Sequence, residues 1–234
     1  MNQLQASVIV LARTDYGEAD RIITLLTPDQ GKLRLMARGV RKAKSKNAGG
    51  IELFSTSHIT YLKGRGEIGT LISSRLEIHY GRIVENIERT MLGYDLIKLM
   101  HKATEDAPEP QYYELLETSF AALNNPAIDI GLIRVWFQAH LVRFAGHMPN
   151  LITDTGGDAL DADTTYNFDF DTMACMVHER GRLHADHIKV LRLLFSDNSP
   201  VVLQQVKGVI DFLPTVAPII QNLFQPVIMM EGYQ

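Results

Sequence analysis

The spacing of apolar residues changes once along this 234-residue chain, near Tyr80, and that change constrains the fold more than any other feature. Up to Tyr80, short runs rich in Val, Ile and Leu alternate with polar residues at a period of two, which is typical of β-strands. Beyond it, apolar residues recur every three or four positions, which is typical of amphipathic helices. The sequence therefore predicts an α+β, multidomain protein, with a β domain at residues 1–79 and a helical domain at residues 80–234.

Five strands are predicted in the first domain, with turns rich in Pro and Gly between several of them. The strands span Ser7–Thr14, Arg21–Thr27, Lys32–Arg38, Glu52–Leu62 and Ile68–Ile78. Five short antiparallel strands bury their apolar faces best by closing into a small barrel, and the OB-fold is the common five-stranded case. We therefore expect an N-terminal five-stranded OB-fold barrel.

Five helices are predicted after the barrel. They span Arg82–Glu105, Tyr112–Asn125, Asp129–His147, Ala185–Asp197 and Ser199–Leu213. One line along the first helix is mostly apolar and consists of Ile83, Ile87, Met91, Tyr94 and Lys98. Gly146 is predicted to cap the end of the third helix, and Ser199 with Pro200 to begin the last one.

An acidic stretch at residues 149–182 interrupts the helical pattern. It holds six Asp residues and, as far as Glu179, no Lys or Arg. Three of them, Asp158, Asp161 and Asp163, are spaced closely, but the Gly and the terminal Glu of a calcium-binding loop are missing around them. The sequence therefore predicts a polar insertion with a solvated loop.

Basic residues are concentrated in one segment of a chain whose net charge is −4. Residues 1–79 carry a net charge of +5 and residues 80–234 a net charge of −9, so the two parts are expected to favour different partners. Between Gln30 and Ile51 there is no acidic residue, and there are seven basic ones: Lys32, Arg34, Arg38, Arg41, Lys42, Lys44 and Lys46.

These seven cations are the predicted nucleic-acid-binding residues. On the third strand, Lys32, Arg34 and Arg38 are predicted to face outward, because strand side chains alternate between faces. With the loop that follows, they form a track of positive charge of the kind that a phosphate backbone requires. A solvated loop kept soluble by Lys is the alternative. Tyr61 and Phe54 can stack on bases if they face outward, but we expect one or both to lie in the barrel core.

One candidate metal site is formed by Cys175, His178, His184 and His187, whose side chains are all normal zinc ligands. The last two residues lie where a helix is predicted to begin, so surface histidines and a half-buried thiol are the alternative. Cys175 is the only cysteine, which excludes an internal disulfide. Cys175 and His178 are kept as candidate zinc ligands, but we expect the protein to bind neither zinc nor another cofactor.

No catalytic motif is found: the chain lacks the phosphate-binding Gly-x4-Gly-Lys-Ser/Thr, Gly-x-Ser-x-Gly and His-Glu-x2-His patterns. The sequence therefore gives no support for an enzyme. It also contains no apolar run of the roughly 18 residues that a membrane span needs, and no basic region before the first apolar run. We expect a cytoplasmic protein that does not bind membranes.

The segment Leu11–Lys46 resembles the N-terminal domain of the RecO family of bacterial DNA-repair mediators. The resemblance is carried by Asp15-Tyr16-Gly17-Glu18, Asp20, Leu26-Thr27, Gly31, Ala37-Arg38-Gly39-Val40-Arg41-Lys42 and Ser45. A second stretch, Val142–Leu151, resembles the segment that leads into the family's zinc-ribbon-like insertion. The resemblance follows the whole chain in order: barrel, helical domain, insertion and last helices.

The resemblance implies a non-enzymatic recombination mediator in the bacterial cytoplasm, associated with the nucleoid. Such proteins bind single- and double-stranded DNA, anneal complementary strands, and work with RecR and the single-stranded DNA-binding protein to load RecA. Family members often hold zinc through two Cys-x2-Cys pairs. Here Ile152 and Thr155 align with the first pair, and Cys175 followed by His178 is all that remains of the second, so we expect a degenerate zinc ribbon without zinc.

The resemblance also implies that the helical domain receives the acidic, apolar-ended tail of the single-stranded DNA-binding protein. Because residues 80–234 are acidic overall, this needs a local basic pocket, for which the candidates are Arg134, Arg143, Lys189 and Arg192. Two other functions stay open: an RNA-binding barrel module, and a metal-dependent hydrolase that uses Cys175, the nearby histidines and the Asp loop.

Overall fold

A computed structural model describes residues 3–64, 66–105 and 107–230, except the side chains of Met229 and Met230. The chain divides into two compact units, Met1–Asn125 and Pro126–Gln234. The division falls between the second and third long helices. The first two helices therefore group with the barrel, although the change of secondary structure lies near Tyr80 as the sequence indicates.

Five strands form a closed barrel in the first unit: β1 (Gln3–Tyr16), β2 (Asp20–Thr27), β3 (Gly31–Ala37), β4 (Ser55–Leu62) and β5 (Ile68–His79). The order around the barrel is β1-β2-β3-β5-β4, and β4 returns to β1. All neighbours are antiparallel except β3 and β5. This is the partly Greek-key, five-stranded barrel of the OB-fold, so the predicted fold class is confirmed.

The barrel interior is filled by alternating residues of all five strands and by two residues of the long β3–β4 connection. On β3, Leu35 and Ala37 are buried while Arg34 is exposed, as the alternation predicts. From the connection, Val40 and Ile51 join the same apolar cluster. The connection is therefore held to the barrel near both of its ends by burial of apolar side chains.

Tyr61 and Phe54 are both buried, which confirms the expectation that they belong to the core. The Tyr61 hydroxyl donates a hydrogen bond to Gln30 Oε1 at 2.8 Å. Phe54 lies one residue before β4 and packs edge to face with Tyr94 and Phe120, at centroid distances of 5.1 and 5.6 Å. Neither ring is available to stack on a base.

Two α-helices complete the first unit: α1 (Ile87–Ala103) and α2 (Pro110–Leu123). The helix predicted from Arg82 begins later, because a 3-10 turn at Gly81–Glu85 precedes it and Asn86 caps it. The Asn86 Oδ1 accepts a hydrogen bond from the Arg89 N–H at 3.0 Å, which satisfies one of the free donors of the first turn.

The part of the predicted apolar line that lies on α1 faces solvent, whereas its first residue, Ile83, lies in the preceding 3-10 turn and is buried. Ile87, Met91 and Tyr94 are 72%, 61% and 51% exposed, whereas Leu92 is 0% exposed. The buried face comprises Arg89, Leu92, Gly93, Leu96, Ile97 and Met100. A contact between helix and barrel sets this orientation, since a Cβ at Gly93 would lie only 2.6 Å from the Phe54 ring. Periodicity alone cannot show which of two apolar lines is buried.

The segment that follows α1 lies directly against the β2–β3 turn. The backbone N–H of Lys32 donates to the Glu105 carbonyl at 2.9 Å, and Lys32 Nζ donates to the His101 carbonyl at 3.2 Å. Gly31 has φ of +66°, and a Cβ there would lie 2.2 Å from the Ala107 carbonyl oxygen. Only glycine permits both this backbone conformation and this approach.

The second unit contains four helices and a small sheet. The helices are α3 (Ile130–Phe144), α4 (Ala185–Leu194), α5 (Pro200–Leu203) and α6 (Val209–Met230). The predicted polar insertion holds three strands in the order β6-β8-β7, namely β6 (Asn150–Asp154), β7 (Tyr166–Asp169) and β8 (Ala174–Val177). As predicted, Gly146 follows the end of α3 in the left-handed region, with φ of +80°. In the described part of the chain, no helix combines the length and apolarity needed to cross a bilayer.

The helix predicted at Ser199–Leu213 begins as predicted, with Ser199 before it and Pro200 in its first turn, but its length is wrong, because two helices occupy this region and the second continues to Met230. Gly208, with φ of +79°, makes the turn between them. Inside α6 lie Pro214, Pro218 and Pro226. An interior proline costs about 3 kcal/mol in helix stability, which is why the helix predicted from the sequence ends at Leu213, directly before the first of them. Burial of the apolar face of α6 offsets that cost.

The orientation of α1 predicts opposite effects for two adjacent residues. Leu92→Ala should lower the free energy of unfolding by about 2–5 kcal/mol, because it leaves a cavity in the core. Met91→Ala should change it by no more than about 0.5 kcal/mol, because this side chain is exposed. Urea unfolding of both variants at low protein concentration measures the difference. Equal effects would show that the buried face has been misassigned.

Candidate nucleic-acid interface

The basic residues after β3 lie on a loop, residues 38–47, which we call the basic loop. Its first part is fixed to the β1–β2 turn. The Gly39 N–H donates to Asp20 Oδ1 at 2.7 Å, and the Arg41 N–H donates to the Ala19 carbonyl at 3.0 Å. Burial of Val40 between these two bonds holds the loop against the end of the barrel.

The far end of the basic loop is fixed to β5 through Asn47. Its Nδ2 donates to the Ile72 carbonyl at 3.3 Å, and its Oδ1 accepts from the Ser74 N–H at 3.2 Å. The Ser74 hydroxyl also donates to the Asn47 carbonyl at 2.9 Å. The loop therefore runs from the β1–β2 turn to β5 and is attached at both ends, so its cations have a defined place on the barrel.

Four loop cations, Arg38, Lys42, Lys44 and Lys46, are exposed. In the described part of the chain, no carboxylate forms an ion pair with any of them. They are therefore available to an anion from outside the chain.

Arg41 is partly engaged within the barrel. Its guanidinium donates to the Gly17 carbonyl at 3.2 Å and lies 3.4 Å from Asp15 Oδ2. The pKa of the Asp15 carboxyl is lowered, first by its hydrogen bond to Arg21 and further by the charge of Arg41. Arg41 thus helps to hold the base of the loop, which distinguishes it from the other loop cations.

Lys32 and Arg34 lie toward the other end of β3, beside a groove of about 340 Å³. Lys63 of the β4–β5 turn joins them there, and Arg34 is 3.7 Å from Glu67. The pKa of His101 is lowered, first by partial burial and then by the positive charges of Lys32 and Arg34. Acidic side chains, Asp29 and Glu67, therefore border the same groove as this second group of cations.

The seven predicted cations thus form two groups, one on β3 and one on the basic loop that follows it. Lys32 and Arg34 lie on the outward side of β3, whereas Arg38, which was predicted on the same strand, follows the end of β3 at Ala37 and is the first residue of the basic loop. Six residues of strand cover about 20 Å, at about 3.3 Å per residue. That length matches roughly six phosphates of one strand at about 3.4 Å each. The arrangement can therefore contact a run of phosphates, most openly at the basic loop.

Sequence reasoning missed two residues of this surface, Tyr16 and Lys63. Tyr16 is 56% exposed at the end of β1, next to Gly17, the acceptor for Arg41. Among the described residues of the barrel, it is the aromatic side chain that faces solvent. Both residues could be placed near turns from the sequence, but their neighbours in the folded chain could not be identified. Arg65, in the same turn as Lys63, lies outside the described residues.

The candidate metal ligands are not brought together. Cys175 is buried in the small sheet, and burial raises the pKa of its thiol to about 11. His178 is exposed, and its Nδ1 accepts a hydrogen bond from the Arg180 N–H at 3.1 Å. His187 Nδ1 accepts one from the His184 N–H at 3.1 Å.

Within residues 3–64, 66–105 and 107–230, no three His, Cys, Asp or Glu side chains are grouped to hold a metal. At the two positions that align with the family's first cysteine pair, Ile152 is exposed and Thr155 offers no strong ligand. A protonated, buried thiol is also a poor zinc ligand. The residues present do not fit a zinc ion, and they do not support a metal-dependent hydrolase.

The four basic residues considered for a tail pocket all have interactions within the chain. Arg143 pairs with Asp197 at 2.7 Å, Lys189 pairs with Asp186 at 2.9 Å, and Arg192 donates twice to the Leu151 carbonyl. Arg134, which also has an interaction within the chain, borders a groove of about 320 Å³ lined by α3 and α6. The walls of this groove are mainly apolar and include Val135, Ile210, Leu213, Pro214 and Ala217.

Two family models match the chain in sequence order. The model described as Recombination protein O N terminal matches residues 1–78, and the model described as Recombination protein O C terminal matches residues 84–199. The first therefore covers the barrel. The second begins just before α1 and ends just before α5.

Curated relatives are similar over most of the chain. The DNA repair protein RecO of Listeria monocytogenes is 30% identical over 199 residues, which cover 80% of this chain and 75% of that protein. The protein of the same name from Listeria innocua shows the same values. The one from Dehalococcoides mccartyi is 30% identical over 151 residues, or 64% of this chain and 59% of that protein. The chain belongs to the RecO family of DNA repair proteins.

Proposed function

We propose that this protein is a non-enzymatic recombination mediator that binds single- and double-stranded DNA and anneals complementary strands. In this proposal it works with RecR to help load RecA onto DNA coated by the single-stranded DNA-binding protein. The observation that carries the proposal is the basic loop: four exposed cations without ion pairs among the described residues, on a segment fixed at both ends to an OB-fold barrel.

The mechanism follows from which groups are exposed. Cations of the basic loop hold the phosphates of one strand and reduce its negative charge, so that a complementary strand can approach. Because Tyr61 and Phe54 are buried, the barrel does not trap a series of bases by stacking. Tyr16 can support one base at the edge of the loop. The remaining bases stay free to pair, and no covalent bond is made or broken.

Charge reversal of the basic loop tests DNA binding. If about five phosphates are neutralised, the logarithm of affinity for single-stranded DNA should fall with the logarithm of salt at a slope of about −3.5. The triple variant Lys42→Glu, Lys44→Glu, Lys46→Glu should reduce the slope to about −1.4, because three phosphate contacts are lost. Fluorescence anisotropy of a labelled oligonucleotide across a salt series measures both slopes.

A control variant with the same change of charge is Arg180→Glu, Arg182→Glu, Lys207→Glu, which alters exposed cations of the second unit that belong to neither proposed surface. It should keep nearly the wild-type slope, apart from a weak long-range effect. Equal slopes for the two triple variants would contradict the proposed interface. The same proteins are then compared for their ability to anneal complementary oligonucleotides, which tests whether DNA binding serves annealing.

Competition between matched DNA and RNA oligonucleotides tests the RNA-binding alternative, which stronger competition by RNA would favour.

We also propose that the groove beside Arg134 receives the acidic, apolar-ended tail of the single-stranded DNA-binding protein. The apolar walls on α6 suit the apolar end of such a tail, and the Arg134 guanidinium suits its carboxylates. Asp129 also borders the groove, but its carboxylate accepts a hydrogen bond from the Leu132 N–H at 2.9 Å and caps α3. The proposal therefore rests on the apolar walls of the groove together with one cation, Arg134, which also has an interaction within the chain.

Arg134→Glu should weaken binding of a peptide with this tail by about tenfold to hundredfold, the effect of losing a charged hydrogen bond of about 1.5–3 kcal/mol. Lys189→Glu is the matched control, since Lys189 belongs to the same unit and pairs with Asp186 instead. Isothermal titration calorimetry of both variants compares the affinities. Similar losses would reject the groove as the tail site.

A further inference from the structure

The exposed line on α1 is an apolar stripe that we define as Val84, Ile87, Met91 and Tyr94. Val84 in the preceding turn is 58% exposed, and the three helical residues are exposed by half or more. Ile87, Met91 and Tyr94 follow one another at steps of four and three, so they are neighbours on the helix surface. A contiguous apolar surface of this kind marks a protein contact more often than isolated exposed residues do.

The stripe is not the side of α1 that holds the first unit together. Leu92, Leu96 and Met100 occupy the opposite face and are buried. Tyr94 touches Phe54 with the edge of its ring and still leaves half of its surface open. The stripe thus presents large side chains at the spacing of a helix–helix seam, 3.5 residues on average.

Charges along the same side of α1 differ between its two ends. Glu85 and Glu88 are exposed at the N-terminal end, and Lys98 and Lys102 at the C-terminal end. Asp95 lies beside the middle of the stripe and already has an interaction within its own chain. A partner helix that matches both ends must be basic where α1 begins and acidic where it ends. A second copy of α1, laid antiparallel, has this distribution.

We propose that the apolar stripe of α1 is a self-association surface, on which two copies of the chain pair their α1 helices antiparallel about a two-fold axis. Met91 of each copy packs against Tyr94 of the other, and the stem of each Lys98 lies over Ile87 of the other. Each Lys98 ammonium then lies beside Glu88 of the other copy, and each Lys102 near Glu85. The same patch is used on both copies, as a two-fold interface requires.

A parallel arrangement is disfavoured by the same charges. It would set Glu88 beside Glu88 and Lys98 beside Lys98, and like charges in contact along a helix pair oppose association. Orientation is therefore part of the proposal and can be tested separately from the existence of the dimer.

Sedimentation velocity of the full chain over a range of concentrations tests association. The wild type should shift from the 26.3 kDa monomer to twice that mass as concentration rises. Met91→Glu should abolish the shift, because it buries a charge in the seam. Val202→Glu is the control, since Val202 is an exposed apolar residue of the second unit and its replacement should leave the dimer intact. A wild type that stays monomeric, or a dimer that Met91→Glu does not affect, would overturn the proposal.

Charge exchange tests the pairing itself. Lys98→Glu alone and Glu88→Lys alone should each lose the dimer, because each sets like charges together at both ends. An equal mixture of the two variants should recover it, because each copy then meets opposite charges on the other. Thermal unfolding of each variant confirms that it is folded. Failure of the mixture to associate, with both variants folded, would refute antiparallel pairing.

Disulfide trapping reports the orientation directly. A mixture of Met91→Cys and Tyr94→Cys proteins should form crosslinked heterodimers under mild oxidation, since these positions face each other across the axis. Cys175 is buried and should not compete. Faster crosslinking of Met91→Cys with itself than with Tyr94→Cys would show a parallel seam and overturn the proposed arrangement.

Discussion

Burial of Val40 and Ile51 in the barrel interior is the constraint on which the candidate DNA-binding surface depends. These side chains come from a connection long enough to move freely if nothing held it. Because their apolar surface is removed from water, the basic residues between them stay on one end of the barrel. Hydrogen bonds from Gly39 to Asp20 and between Asn47 and β5 then fix the path of the loop. The exposed cations Lys42, Lys44 and Lys46 are thus kept in place by contacts of the loop on either side of them, without ion pairs of their own among the described residues.

Much of the barrel could be predicted because a period of two is a local signal. Strands β2, β3 and β5 begin and end within a residue of their predicted bounds, and the glycine of the β2–β3 turn was apparent. The last helices were not predictable in the same way. Pro214 indicates a helix end by its own chemistry, and only the packing of α6 against α3, which joins distant parts of the chain, overrides that signal.

The candidate DNA-binding surface could also be predicted only in part from the sequence. A run of cations without acidic neighbours is visible in the sequence, but the partners of each cation are not. Arg41 meets Asp15, and Lys32 meets the carbonyl of His101, through contacts that only the folded chain creates. Family likeness indicated where zinc ligands are expected in the insertion, and Ile152, Thr155, Cys175 and His178 occupy those positions in this chain. It did not indicate that a small sheet still forms around Cys175.

The contact between Gly31 and the segment after α1 limits how relatives of this protein can diverge. Two stretches of backbone meet there without any intervening side chain. An insertion of one residue in either stretch would separate the helical pair from the barrel wall, because no flexible group is present to absorb the extra length. Length variation during evolution should therefore be rare at this junction and should accumulate in hydrated turns such as the one around Gly156 and Gly157.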